Sequence, residues 1–316
     1  MIERTIGVVG SDREIALITG ASSGLGIEFA RQLAARGCDL VLTARREQLM
    51  AALALELEAR HGIQVIVEAL DLATPGAAGE LKRRLDQRGV EPSALINNAG
   101  FGLFGPFIEQ EEAKLRDMLQ LDVLALTELT HVFGRAMAAR GRGRILLVAS
   151  VAAYQPTPLY AGYGAAKAYV LSLGESLGVE LAPRVSVSVL SPGLMDTGFL
   201  GVSGQTPSRA MTRNMVLPAD AAKLGLETMF AGRSSAVTGR ANRIAFVPQS
   251  PHNPSLPSAD DPQDSAIAPL RRPRGVPGGS PRRPRTGSRR RGWRKAPATA
   301  SHSRVRGRRK SASTRR

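Results

Sequence analysis

The chain of 316 residues holds one cysteine, Cys38, so no internal disulfide can form, which suits a reducing compartment. Cys38 opens an apolar run and reads as a small buried residue, not a nucleophile. Histidine is equally scarce. His61, His131, His252 and His302 show no metal-ligand spacing, which argues against a metal centre. No apolar run reaches the roughly 18 residues of a membrane span. Met1 to Glu14 carries charges and only a short apolar patch, so it makes a poor secretory leader. The expectation from these absences is a cytoplasmic protein without a metal.

Acidic residues are outnumbered, 27 against 43 Lys and Arg, but unevenly along the chain. Residues 251–316 carry 18 of the basic residues and three Asp, leaving 25 basic and 24 acidic residues in 1–250. The body is therefore near neutral at +1, and +15 of the net charge of +16 belongs to residues 251–316. Ten of the 20 prolines lie there too, with almost no apolar periodicity. Such a segment cannot bury enough surface to offset its ordering entropy, so residues 247–316 are predicted to be a disordered tail. Its runs Arg289-Arg290-Arg291 and Arg308-Arg309-Lys310 would attract nucleic acid or other polyanions non-specifically. Trp293 is the only tryptophan, thin support for base stacking. The Arg/Pro/Gly/Ala/Ser composition is also what a shifted reading frame in a GC-rich gene yields.

The body alternates short apolar runs with helical periodicity. Strands are predicted at 15–18, 38–43, 65–70, 94–96, 145–149, 185–190 and 235–238. Helices are predicted at 27–35, 47–60, 79–87, 161–181 and 217–229, with one long helix from about Glu111 to Arg140. Ala241 to Phe246 looks like the start of a closing helix. The pattern argues for an α/β, doubly wound parallel sheet in a single domain, residues 13–246, after a short lead, 1–12. Strand C-terminal ends then gather at one edge, where a ligand can bind.

At the first such edge stand Gly20, Gly24 and Gly26, in Thr19-Gly-Ala-Ser-Ser-Gly-Leu-Gly26. Glycines there permit a sharp strand-to-helix turn and a close backbone approach to a pyrophosphate, with the helix N-terminus facing the negative charge. The second strand ends in Ala44-Arg45-Arg46. Where an acidic residue would hold ribose hydroxyls, this Arg pair suits a 2′-phosphate, favouring NADP over NAD. The plainer reading of the pair is a solvated cap on the next helix, above all for Arg46.

Tyr163 and Lys167 are four apart on a predicted helix, hence on one face, and Ser150 ends the preceding strand. A phenol ordinarily titrates near 10, a poor acid-base group at neutral pH. A neighbouring ammonium and a cationic nicotinamide ring are expected to pull that value down. A serine hydroxyl at the same carbonyl can donate to a developing alkoxide. Tyr154 and Tyr160 have no lysine four residues on and read as pocket wall or packing.

These pieces together resemble the classical short-chain dehydrogenase/reductase family over residues 13–246. They are the glycine turn, Asp71 after the third strand, Asn97-Asn98-Ala99-Gly100, Ser150, Tyr163 with Lys167, and Pro192-Gly193 with Thr197. The resemblance implies an NADP(H)-dependent carbonyl/alcohol oxidoreductase on a Rossmann fold, a homodimer or homotetramer. By the same resemblance, Gly20, Ser22, Ser23, Gly24, Leu25 and Gly26 hold the pyrophosphate and adenosine ribose. Asp71 and Leu72 bracket the adenine, and Asn98, Ala99 and Gly100 line the adenosine side. Lys167 holds the nicotinamide ribose, while Pro192, Gly193, Met195 and Thr197 seat the carboxamide. One position departs from the family. Asp122 stands where an Asn usually holds a water beside the lysine, and a shifted pH profile is expected; the plainer reading is a local helix salt bridge. The stretch 194–217 corresponds to a substrate lid. Phe101, Phe104, Phe107, Tyr154, Tyr160, Phe199 and Leu200 are candidate apolar walls for a hydrophobic carbonyl substrate, with Phe107 expected in the core. The alternatives are a non-catalytic dinucleotide sensor or scaffold, and a nucleic-acid binder acting through the tail.

Overall fold

A computed structural model of the protein describes residues 13–239 and Asn242, apart from 196, 207–211 and 213–214. The lead, the closing helix other than Asn242, and the tail lie outside the described residues. The strands are β1 (Ile15–Thr19), β2 (Asp39–Ala44), β3 (Val65–Ala69), β4 (Ala94–Asn97), β5 (Gly143–Val148), β6 (Val185–Ser191) and β7 (Ser235–Val237). All pairings are parallel, in the order β3-β2-β1-β4-β5-β6-β7. The direction of winding reverses between β1 and β4, and the crevice of such a sheet opens there, beyond the strand C-termini.

The helices are α1 (Gly24–Ala35), α2 (Glu47–His61), α3 (Ala77–Gln87), α4 (Glu112–Leu119), α5 (Leu126–Ala139), α6 (Ala161–Glu180), α7 (Phe199–Ser203) and α8 (Pro218–Phe230). They cover both sheet faces because side chains alternate along each strand. Ala16, Ile18, Leu40 and Leu42 join one apolar layer with Phe29 and Leu33 of α1 and Leu226 of α8. Leu17, Val41, Ile145 and Leu147 join the other, with Leu81, Phe133 and Val170 of α3, α5 and α6. Phe29 and Leu33 are fully buried, and such a side chain contributes about 1.5–3 kcal/mol. Cys38 is likewise buried, and that burial pushes its thiol up, away from nucleophilic thiolate.

The long helix expected between Glu111 and Arg140 is not continuous. A π-helical segment, Gln120–Ala125, separates α4 from α5. The wider turn carries Asp122 fully into the interior, where the Phe101 N–H donates to its Oδ1 at 2.9 Å. Period counting alone cannot see such a turn, because it inserts one residue without breaking the apolar pattern.

Candidate active site

The turn after β1 is fixed by backbone bonds. The Gly20 N–H donates to Thr43 O at 2.9 Å, and Gly20 and Gly24 take positive φ of 67° and 51°. A Cβ on Gly20 would lie 2.9 Å from the Ala99 Cα, so only glycine lets the ends of β1 and β4 come this close. Thr19 completes the junction: its Oγ1 accepts from the N–H groups of Asn98 and Ala99, at 2.9 and 2.8 Å. The sequence reading used Thr19 only as part of the motif and missed this role.

Gly26 behaves differently from its expectation. It does not line the cleft, and a Cβ there would stand 2.3 Å from Gly20 O. Its small size sets how tightly α1 packs on the turn. Ser23 gives no side-chain cap to α1, and Ser23, Gly24 and Leu25 at its N-terminus line the groove, while the Gly26 N–H is taken by Ser23 O at 3.1 Å.

A cleft of about 950 Å³ runs along the strand C-termini, from Arg45 and Arg46 past Ser22, Ser23 and Gly24 to Tyr163 and Phe199. Asp71, Leu72, Asn98, Ala99 and Gly100 line it, as do Leu25, Pro192, Gly193, Met195 and Thr197. Capless N–H donors, glycines at the point of closest approach and two guanidiniums at one end fit a nicotinamide dinucleotide. Arg45 is exposed, while Arg46 donates from Nη2 to Ser22 O at 3.2 Å and to Ser22 Oγ at 3.0 Å. Arg46 thus braces the turn, and Arg45 is the freer of the two for a phosphate.

Ser150, Tyr163 and Lys167 all line the deep end. Ser150 Oγ accepts from the Ala152 N–H at 3.2 Å, and the Ser150 hydroxyl is one of the influences that pull the Tyr163 phenol down. Lys167 Nζ lies 5.6 Å from the centre of the Tyr163 ring, 3.2 Å from Val148 O and 3.0 Å from Asp122 Oδ2. The protein's own groups leave the Tyr163 phenol above its ordinary value. Burial raises it, the Lys167 ammonium opposes this, and the Asp122 carboxylate adds to the rise. Burial alone would lower Lys167, but Asp122 and Tyr163 outweigh it and hold the ammonium above its ordinary value. Asp122 itself is raised by burial, against the pull of Lys167 and the Phe101 amide. Asp122 lies beneath the cleft, outside its lining, with its carboxylate against Lys167. A Cβ on Gly100 would stand 2.8 Å from Asp122 Oδ2, so Gly100 is where that carboxylate packs.

Among the candidate walls, Phe101, Tyr160 and Phe199 line the cleft. Phe104 packs one layer back against Tyr160 at 5.2 Å between ring centres, and Leu200 is buried. Tyr154 packs on the core and its hydroxyl accepts from Ser191 Oγ at 3.4 Å. Phe107 is not in the core. It is 52% exposed on a 3₁₀ turn, Phe107–Glu109, that begins after Pro106 and lies beside Gly162 at the start of α6.

A parallel sheet wound both ways around a dinucleotide groove, with Ser, Tyr and Lys at its deep end, defines a nicotinamide-dependent oxidoreductase. The chain belongs to the short-chain dehydrogenase family, whose model, described as short chain dehydrogenase, matches residues 14–207. Very-long-chain 3-oxoacyl-CoA reductase of Phaeosphaeria nodorum is 35% identical over 191 residues, 58% of this chain and 55% of that one. The enzyme of the same name from Aspergillus clavatus is 37% identical over 172 residues, 53% and 49% of the two chains. The chain therefore spans about half the length of these curated relatives. Among solved structures, a short-chain dehydrogenase from Sphingobium yanoikuyae in complex with NADPH superposes with a TM-score of 0.67 at 29% identity. That match covers 78% of this chain and 99% of that one. The bulky-bulky ketone specific alcohol dehydrogenase from Comamonas testosteroni gives 0.65 at 27%, over 78% and 100%.

Proposed function

We propose that the protein is an NADP-dependent reductase of ketones bearing apolar substituents, with Tyr163 as general acid. The observation that carries this reading is the placement of Ser150 and Tyr163 at one point of a cleft that continues to the glycine turn and Arg45. Bound NADPH would supply the hydride. Gly20, Ser22, Ser23, Gly24 and the first turn of α1 would hold its phosphates, and Arg45 its 2′-phosphate. Ser150 accepts from Ala152 N–H, which leaves its own hydrogen to donate to the substrate carbonyl oxygen. Tyr163, raised above its ordinary value, is protonated at neutral pH and passes its proton to the same oxygen as negative charge develops there. The Lys167 ammonium stabilises the phenolate left behind. The walls at the deep end, Phe101, Phe199 and Val202, favour an apolar group beside the carbonyl. The relatives' names point the same way, to a 3-oxo group on a long acyl chain.

The test is a carbonyl screen that follows NADPH oxidation, paired with Tyr163→Phe. The variant is expected to lose several orders of magnitude in turnover while binding NADPH as before, because only the proton donor is removed. Near-normal turnover by the Phe variant would refute the role of Tyr163.

A further inference from the structure

Three segments far apart in the chain meet over Tyr163. The Phe104 N–H donates to Ser203 O at 2.9 Å, which ties the loop after β4 to the end of α7. The Gly105 N–H donates to Leu159 O, also at 2.9 Å, which ties the same loop to the segment entering α6. Leu159 takes a left-handed φ of 67°, a conformation that a leucine keeps only where its surroundings enforce it. The next residue, Tyr160, closes the triangle. Its O–H donates to Gln205 Oε1 at 2.9 Å, and its oxygen lies 2.9 Å from Ser203 Oγ. Ser203 Oγ also reaches Leu200 O at 3.0 Å, joining the hydroxyl pair to the last turn of α7.

The rings follow this frame. Tyr160 stands 5.8 Å from Tyr163 and Phe199 stands 5.3 Å from Tyr163 between centres, both tilted. All three crowd one backbone position. A Cβ on Gly102 would lie 2.8 Å from Phe199 Cζ and 3.3 Å from both tyrosine rings. Phe199 opens the short helix α7, and the hydrogen bonds of Tyr160 reach the end of that helix at Ser203 and at Gln205 just beyond it.

We infer that Tyr160 is a specificity-determining residue: its hydroxyl latches α7 so that Phe199 and Tyr160 form a fixed aromatic slot beside Tyr163, which selects carbonyl compounds with an apolar, ring-bearing substituent. The inference rests on the reductase reading for its reaction, while the latch itself is a property of the fold. Tyr160 spends its hydroxyl on Ser203 and Gln205 and presents only its ring to the cleft. The slot is consequently built before any substrate arrives.

Two measurements test this on the full chain. In the first, a nitroxide is placed on Gly201→Cys in a Cys38→Ala background. Gly201 is exposed on α7 and has open space around its Cβ position. Tyr160→Phe is expected to raise the mobility of that label in its paramagnetic resonance spectrum, and Gln205→Leu to do the same. In the second, acetone and acetophenone are compared as substrates. Tyr160→Phe is expected to raise KM for acetophenone roughly three- to tenfold, the scale of one neutral hydrogen bond, with a smaller change for acetone and unchanged NADPH affinity. Gly102→Ala, which displaces Phe199, is expected to shift KM in the same order. A label as immobile in Tyr160→Phe as in the parent overturns the latch. Freed motion with an unaltered ratio of the two KM values overturns the specificity role. Should the parent reduce neither ketone, the reductase reading fails on these substrates while the label still decides the latch.

Discussion

Lys167 Nζ and Asp122 Oδ2 form a direct ion pair at 3.0 Å, with the two side chains 5% and 0% exposed. The pair is shut in by Val148 O above the ammonium and by Phe101 N–H and Gly100 around the carboxylate. Burying two charges is costly unless both find partners, and these do. The consequence is a lysine held as ammonium beneath Tyr163, and a negative charge that works against the phenolate.

Replacing Asp122 by Asn keeps the acceptor for Phe101 and removes the charge. Breaking a buried pair in this way is expected to cost about 3–5 kcal/mol at neutral pH. Because the folded Lys167 is raised, the stability it contributes is present below its unfolded value and fades as pH rises through the folded one. The difference in melting temperature between Asp122→Asn and the parent should therefore shrink at alkaline pH. The reaction should shift as well. Asp122 is one of the influences that raise Tyr163, so the alkaline limb of the reduction profile should move to lower pH in the variant. A limb that stays in place would show that Asp122 is only a structural ion.

The two arginines after β2 should separate by cofactor. Arg45→Ala is expected to weaken NADPH by about 1.5–3 kcal/mol, roughly ten- to a hundredfold, with little effect on NADH. Arg46→Ala removes the brace on Ser22 and should weaken both dinucleotides to a similar degree. Fluorescence titration of each variant with each cofactor checks this. Equal loss of NADPH and NADH in Arg45→Ala would move the 2′-phosphate contact elsewhere.

Two glycines should tolerate alanine poorly for reasons unrelated to turn conformation. A Cβ at Gly26 would press on Gly20 O at 2.3 Å and force α1 off the turn, and one at Gly100 would press on both carboxylate oxygens of Asp122. Overpacking of this kind costs about 1–3 kcal/mol. Gly26→Ala is expected to lose dinucleotide affinity first, and Gly100→Ala to reproduce part of the Asp122→Asn pH profile. Calorimetry and a pH-rate series distinguish the two.

The seven strands were legible in the sequence because each is a short apolar run bounded by turn residues, and the Tyr163 to Lys167 spacing survives any error in helix boundaries. The π turn was not legible, since its apolar residues still fit a continuous helix, and its cause lies in Phe101 and Lys167, each more than 20 residues away. Nor could the rise of the Tyr163 phenol be read. The sequence names the nearby ammonium but not how completely the ring leaves water, and burial is the larger influence. Phe107 was misplaced for a related reason: hydrophobicity marks a residue for burial, while the turn after Pro106 decides which way it faces. Tyr160 was legible only as a pocket wall, and its partner Gln205 not at all, because a latch between segments 45 residues apart follows no spacing rule.

The last prediction concerns where the chain can be cut. Every cleft residue among the described residues lies at or before Gln205, and residues 251–316 carry the excess charge, so the polyanion contact and the chemistry should be separable. One link limits this. The Gly193 N–H donates to Thr238 Oγ1 at 2.7 Å, and Asn242 Nδ2 donates to Thr238 O at 3.0 Å. A Cβ on Gly193 would lie 2.5 Å from Asn242 Nδ2, so Asn242 packs directly on the loop that lines the cofactor groove. A protein ending at Phe246 is expected to keep NADPH binding and turnover, and to lose a polyanion affinity that in the full chain falls steeply with salt. A protein ending at Gly239 keeps β7 but lacks Asn242, and should bind NADPH more weakly and melt lower. Asn242→Ala in the full chain should reproduce the weaker binding, which separates the loss of this contact from the loss of chain. If the protein ending at Phe246 folded and bound NADPH yet turned over no substrate that the full chain reduces, the tail would belong to the active unit.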